Sequence, residues 1–249
     1  MKLLIAAAVA AGALGAASAA AAELKVLSAG AVEPGLKPAA EAFKRANGTE
    51  VKIQFNTAPQ IAKKLANGEP ADLVIAPPAV LDEQAKAGKV SPEGRLVLGR
   101  VGAGVFVRAG AAAPNVATSD ALKQALLAAD SVVYNTASSG QYIAKMIEKL
   151  GIAEQVKPKT TRYPDGASVI EHVAKGKGNE IGFGAIPEIK QGEPTGVKLV
   201  GPLPADLQNY TTYAAAELTG ATSKDAAKAF LAYLATPEAK QAFKTAGIE

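Results

Sequence analysis

Residues 23–46, ELKVLSAGAVEPGLKPAAEAFKRA, decide the fold. The stretch opens on a short apolar run at 24–27, which reads as a buried strand. Four small residues follow, Ser28, Ala29, Gly30 and Ala31. Then the pattern turns helical, with Leu36, Ala39, Ala40 and Phe43 on one face and Glu33, Lys37, Glu41 and Lys44 on the other. A strand that feeds a helix through small residues exposes backbone N–H groups at the positive end of the helix dipole. Such a turn can hold an anion without a charged side chain, although ordinary βα turns have the same composition.

Moving outward, the same design recurs. Residues 49–55 (TEVKIQF) alternate as a strand, 56–59 (NTAP) break it, and 60–66 read as a helix. Residues 71–76 (ADLVIA) form a short apolar run, stopped by Pro77-Pro78 and followed by a helix over 79–87. Strand and helix thus alternate three times with short connections, the signature of a parallel α/β sheet. Further on, 99–107 (GRVGAGVFV) is a longer strand pattern with glycines that permit close packing. A helix is expected over 115–129, with Thr118, Ser119 and Asp120 as its capping cluster. The strand 131–134 (SVVY) leads through a hydroxyl-rich loop at 135–140 into a helix over 141–150. A short strand at 160–163, a helix at 167–174 and strands at 180–185 (EIGFGA), 197–202 and 209–216 follow. The chain closes with helices at 223–235 and 237–246, the second started by Thr236 as cap and Pro237 at its first position.

Residues 1–22 read as a secretory signal. Lys2 gives a positive start, 3–14 is an Ala-rich apolar core, and 18–22 (SAAAA) offers small residues for cleavage. Residues 23–249 suit one large or two small domains. The chain has no cysteine, so it carries neither disulfides nor thiolate chemistry, and it fits an oxidising compartment. Its net charge of +4 is spread among interspersed acids, aromatics are 5% and Trp is absent. A basic stripe and a base-stacking platform are both missing, which argues against a nucleic-acid partner.

Motifs for covalent and metal chemistry are also missing. His172 is the sole histidine, and no G-x-S-x-G elbow or P-loop is present. Asp72, at the head of ADLVIA, reads as a residue that bonds neighbouring backbone, and Arg162 as a solvated cation. What remains is binding. Small, hydroxyl-bearing or amide-bearing turns at 28–31, 56–60, 138–140 and 166–168 would converge at the carboxyl ends of the strands of a doubly wound sheet.

Several segments in order resemble the periplasmic molybdate-binding protein family, with the type II binding-protein fold. They are KVLSAGAVEPGLKPAAEAFKRANGTEVKIQF after the signal, the A-x-G-x-P-A-D-L core at 66–73, GRLVLGRVGAGVFV, SSGQYIAKMIEKLGI, and the C-terminal AKAFLAYLATPEAKQAFKTAGI. The resemblance implies two α/β lobes of mostly parallel sheet flanked by helices and joined by two crossing strands. Lobe I would comprise 23–102 with 207–249, and lobe II 103–206. It implies a monomeric periplasmic solute-binding protein, not an enzyme, that captures a small anionic solute between the lobes and delivers it to a membrane ABC permease. No cofactor or metal is expected. The expected ligand contacts are Ser28, Ala29, Gly30 and Ala31 in the first turn, and Thr57, Ala58 and Gln60 in the second. Ser138, Ser139 and Gly140 follow in the third, with Ala167, Ser168 and Ala185 completing the set.

Three positions depart from the family pattern: Ala31 stands where a Ser is usual, 56–60 replaces a Ser-rich loop, and Ala185 falls where a Tyr is common. Each missing donor costs a buried oxyanion about 1–3 kcal/mol, which favours a small anion other than molybdate or tungstate. One alternative is a molybdate or tungstate binder that relies on backbone amides. An alternative of another class is a hydrolase-like enzyme that uses His172, or Asp72, in the cleft.

Overall fold

The computed structural model describes residues 23–249; the expected signal at 1–22 lies outside the described residues. Strand β1 (Glu23–Ala29) passes through one 3-10 turn (Gly30–Val32) into α1 (Glu33–Asn47). Leu36, Ala39, Ala40 and Phe43 form the buried face of α1, as the spacing predicts. Gly48 ends it in the left-handed region at φ 70°, a conformation that favours glycine.

The elements β2 (Glu50–Asn56), α2 (Ala58–Ala66), β3 (Leu73–Ala76) and α3 (Pro78–Lys86) complete the first half. A long strand, β4 (Leu96–Arg108), leads into the second half. There α4 (Ser119–Ala128), β5 (Ser131–Asn135), α5 (Ser138–Lys149), α6 (Ala153–Val156) and β6 (Thr160–Tyr163) follow. Next come α7 (Gly166–Lys175), β7 (Glu180–Ala185), α8 (Ile186–Gly192) and β8 (Val197–Pro202). Strand β9 (Tyr210–Glu217) returns, and α9 (Lys224–Leu234) and α10 (Pro237–Thr245) close the chain.

Among the described residues, the strands form a sheet ordered β2-β1-β3-β9-β4-β7-β5-β6, with β8 paired to β4. β1 is parallel to both neighbours, and β5 is parallel to both β6 and β7. The antiparallel pairs involve β4 and β9. The first part of β4 pairs with β9 (Leu96↔Ala215 to Gly102↔Tyr210), and the second part pairs with β7 and β8 (Ala103↔Ala185 onward). β4 therefore belongs to both halves, and β4 and β9 are the crossing strands of an α/β fold with two lobes.

The core is divided accordingly. One cluster gathers Leu24, Val26, Leu73, Ile75 and Ala215 with Phe43, Phe230 and Phe243 from the covering helices. Phe43 and Phe230 meet with ring centroids 5.0 Å apart. Val105, Leu122, Val132, Ile143 and Phe183 form a second cluster, and Phe106, Val133, Val169 and Ile189 form a third. Gly182 makes room for the Phe106 ring, since a Cβ there would lie 2.4 Å from it. No helix among the described residues is long and apolar enough to cross a membrane.

Three helix starts differ by two residues or more from the sequence expectation. α4 begins at Ser119 rather than 115, because the Thr118 hydroxyl accepts the Ala121 N–H and caps it there. α2 begins at Ala58 rather than 60, because Pro59 suits a first-turn position. α5 begins at Ser138 rather than 141, so the hydroxyl-rich segment is the first turn of a helix and not a free loop.

Candidate functional site

The carboxyl ends of β1 and β2 from one half, and of β5, β6 and β7 from the other, face a shared cleft of about 380 Å³. Of the residues expected from the sequence, Ala29, Gly30 and Ala31 line it beside Thr57, Ala58 and Gln60. Ser138, Ser139, Ala167 and Ala185 face them from the other half.

Three expected residues do not line it. Ser28 is fully buried, and its Oγ donates to the Ala29 carbonyl at 3.2 Å. The alternation of a strand turns Ser28 into the core when Ala29 faces the cleft. The Gly140 N–H is taken by Asn135 Oδ1 at 3.1 Å, and the Ser168 N–H by Asp165 Oδ1 at 2.8 Å. Both groups serve their own helix start instead of the cleft.

The turns are built by side chains that cap them. Gln60 Oε1 accepts the Thr57 N–H at 2.8 Å. Asn135 is nearly fully buried at the end of β5, and its Oδ1 also accepts the Ala137 N–H at 3.0 Å. Its amide bonds Ser139 Oγ at 3.2 Å. Gly140 cannot carry a side chain here, since a Cβ would fall 1.7 Å from the Asn135 carbonyl oxygen. These contacts fix the helix starts at the cleft, and the remaining first-turn N–H groups have no intrahelical acceptor. Among the described residues lining the cleft none is Lys, Arg or His. A ligand anion would be held by dipoles and neutral donors.

Sequence reasoning missed the acids of the cleft: Glu33, Asp165 and Glu188. Glu33 pairs with Lys37 one helical turn on, and Asp165 caps α7. Glu188 differs. It enters on α8, directly after β7, and its carboxyl lies between two glycines of opposite halves. A Cβ on Gly30 would sit 3.0 Å from its Oε1, and one on Gly166 2.6 Å from its Oε2. Among the described residues neither oxygen has a hydrogen-bond donor or a cation as partner.

Part of the Glu188 side chain borders open space, yet its carboxyl is closely surrounded. That desolvation, reinforced by the charges of Glu33 and Asp165, pushes its pKa up to about 7. Tyr213, from crossing strand β9, also lines the cleft. Burial and the neighbouring Glu188 push the phenol further up, so it remains a donor. A carboxyl poised near neutrality beside a neutral phenol can give and take a proton. The only sequence signal was an acid just after a strand ending in small residues, and a first-turn acid commonly serves the helix dipole.

The other titratable candidates lie elsewhere. Asp72 accepts N–H groups from Lys25, Thr222 and Ser223, each at 2.9 Å, and ties α9 to β1. His172 Nδ1 bonds the Tyr163 hydroxyl at 2.8 Å, and Arg162 lies over the Tyr134 ring. None of the three lines the cleft, so the hydrolase alternative, which needs His172 or Asp72 there, lacks support from the geometry.

Comparison with known proteins agrees with this architecture. Residues 24–249 match the family model for bacterial extracellular solute-binding proteins. The periplasmic molybdate-binding protein of Azotobacter vinelandii superposes with a TM-score of 0.76 at 18% identity, covering 91% of this chain and 98% of that one. The sulfate-binding protein of Mycobacterium tuberculosis superposes at 0.71 with 19% identity, covering 91% and 86%. At these identities the two structures establish the fold. A curated relative from Pseudomonas sp, aconitate isomerase, is 31% identical over 232 residues, covering 91% of this chain and 87% of that protein. This relative overturns the expectation that the chain is not an enzyme. That expectation rested on the resemblance to binding proteins and on the absence of covalent and metal motifs, whereas proton-transfer chemistry needs only a carboxyl with a suitable pKa.

Proposed function

Because the chain belongs to the bacterial extracellular solute-binding protein family, we propose that it holds a small polycarboxylate in this cleft and isomerises it by proton transfer through Glu188, as an isomerase of the aconitate type. The observation that carries the reading is the unpartnered Glu188 carboxyl, with its pKa near 7, in a cleft ringed by helix starts. A site that only gripped a fully ionised oxyanion would gain nothing from it.

The chemistry closes without a cofactor. Aconitate is propene-1,2,3-tricarboxylate. Glu188 as carboxylate removes a proton from the methylene carbon, and the C–H electron pair becomes a new C=C bond. The old double bond shifts its electrons to the far carbon, conjugated with a terminal carboxylate. Glu188 then returns a proton to that far carbon. One C–H bond breaks, one forms, and the double bond moves by one position. The geometry of the new alkene is set by the rotation held about the former single bond. Helix-start N–H groups, Ser138, Ser139 and Thr57 orient the carboxylates, and the Tyr213 hydroxyl donates to the oxygen that gains charge.

Within this reading the lobes divide at 23–102 with 207–249 and 103–206, and the residue 1–22 signal directs the chain to the periplasm. Transfer of the same anion to an ABC permease is compatible with the fold. Purified protein should interconvert cis- and trans-aconitate, followed by proton NMR. Glu188→Gln should lower turnover by about 100-fold or more while tricarboxylate binding persists. Wild-type protein that binds tricarboxylates, or molybdate, with no interconversion would sink the isomerase reading.

A further inference from the structure

Glu188 borders two cavities. One is the cleft; the other is a groove of about 510 Å³ between α7 and α8. The α7 wall is a single helical stripe, Ala167, Ile170, Ala174 and their neighbours, and the α8 wall is Gln191 and Gly192. Glu33, Ala167 and Glu188 line both cavities, so these residues form the partition between them. The charged groups facing the groove are Glu33, Glu171 and Lys175, the last two joined in an exposed i,i+4 pair. The groove is roomy enough for water and has polar partners for it.

We propose that this groove is a proton port: while substrate fills the cleft, Glu188 exchanges its proton with solvent through the groove between α7 and α8. The inference rests on the isomerase reading. It assigns a role to a cavity that the binding of substrate leaves unused. A base sealed behind its substrate must return the same hydrogen that it removed. A base with a second opening can lose that hydrogen to water before the far carbon is protonated, so the product acquires a solvent hydrogen.

The test uses full-length protein in deuterium oxide and early product analysed by NMR and mass. Wild type should place solvent deuterium on the product methylene in most turnovers. Ala174→Leu and Gln191→Trp fill the groove without touching the cleft, and circular dichroism checks their folding. Both should cut deuterium incorporation several-fold while turnover changes little, because the hydrogen then passes directly between carbons. Retention of the substrate hydrogen in wild type, or unchanged incorporation in both filled variants, overturns the port.

A second readout does not depend on turnover. With the saturated analogue tricarballylate bound, the infrared carboxyl band that Glu188→Gln removes should exchange rapidly with deuterium oxide in wild type and slowly in the filled variants. Equal exchange rates overturn the port. Absence of aconitate turnover counts against the isomerase reading alone, since the infrared exchange still decides the port.

Discussion

Two carboxylates show how position sets chemistry at the residue scale. Asp72 and Glu188 are both enclosed, and enclosure raises a carboxyl pKa. For Asp72, the N–H donors of Lys25, Ser223 and Thr222 outweigh burial and hold it below the ordinary value. Its contribution to stability is therefore present above the unfolded pKa and is lost as pH falls through the folded one. Asp72→Ala leaves three backbone donors without an acceptor, and urea unfolding should register a loss of about 2–4 kcal/mol.

Glu188 has no such donors and moves the opposite way, from an ordinary 4.5 to about 7. The folded chain keeps a proton that the unfolded chain releases, so stability falls as pH rises from 4.5 through 7. Glu188→Gln removes that titration, and the variant should melt higher than wild type at pH 8 but not at pH 4.5. Activity runs against stability. In the isomerase reading the base form is needed, so kcat/KM should rise with pH and level off above a limb at about 7, and the limb in kcat should lie higher, since a bound anion raises the pKa further. A flat profile from pH 5 to 9 would remove Glu188 as the base.

Elements contribute through where they begin. α5 starts three residues earlier than its composition suggests, because the buried Asn135 amide captures the Ala137 and Gly140 N–H groups and winds the first turn. α7 starts against Glu188, with Gly166 leaving space for the carboxyl. Gly166→Ala would press a methyl against Oε2 and displace the base while leaving the helix otherwise satisfied. Turnover of aconitate should fall by about 100-fold, with the melting temperature changed far less than by Asp72→Ala. Equal loss of activity and stability would mark Gly166 as a packing residue only.

At the scale of the whole molecule, separate core clusters are joined through the long strand β4, which pairs with β9 in one half and with β7 and β8 in the other. A ligand held from both sides adds contacts across that junction. Tricarballylate at roughly 100 times its Kd should stabilise the protein by about 2.7 kcal/mol. Calorimetry should also show one unfolding transition with ligand in place of broader unfolding without it. Stabilisation confined to part of the heat signal would place the ligand on one half alone.

The alternation of strands and helices, the buried face of α1, the caps at Thr118 and Thr236, and the structural role of Asp72 were legible in the sequence. These follow from short-range periodicity and from the few residues that suit a cap or a turn. The sequence also marked the turns that line the cleft, since small residues at strand ends are visible in any order of folding. Long-range packing was needed to turn Ser28 into the core, to make the hydroxyl loop the first turn of α5, and to place the Glu188 carboxyl in the cleft. The local signal at Glu188 is slight, because its raised pKa comes from burial and from the charges of Glu33 and Asp165, which are far away in sequence and reach it only through the tertiary fold.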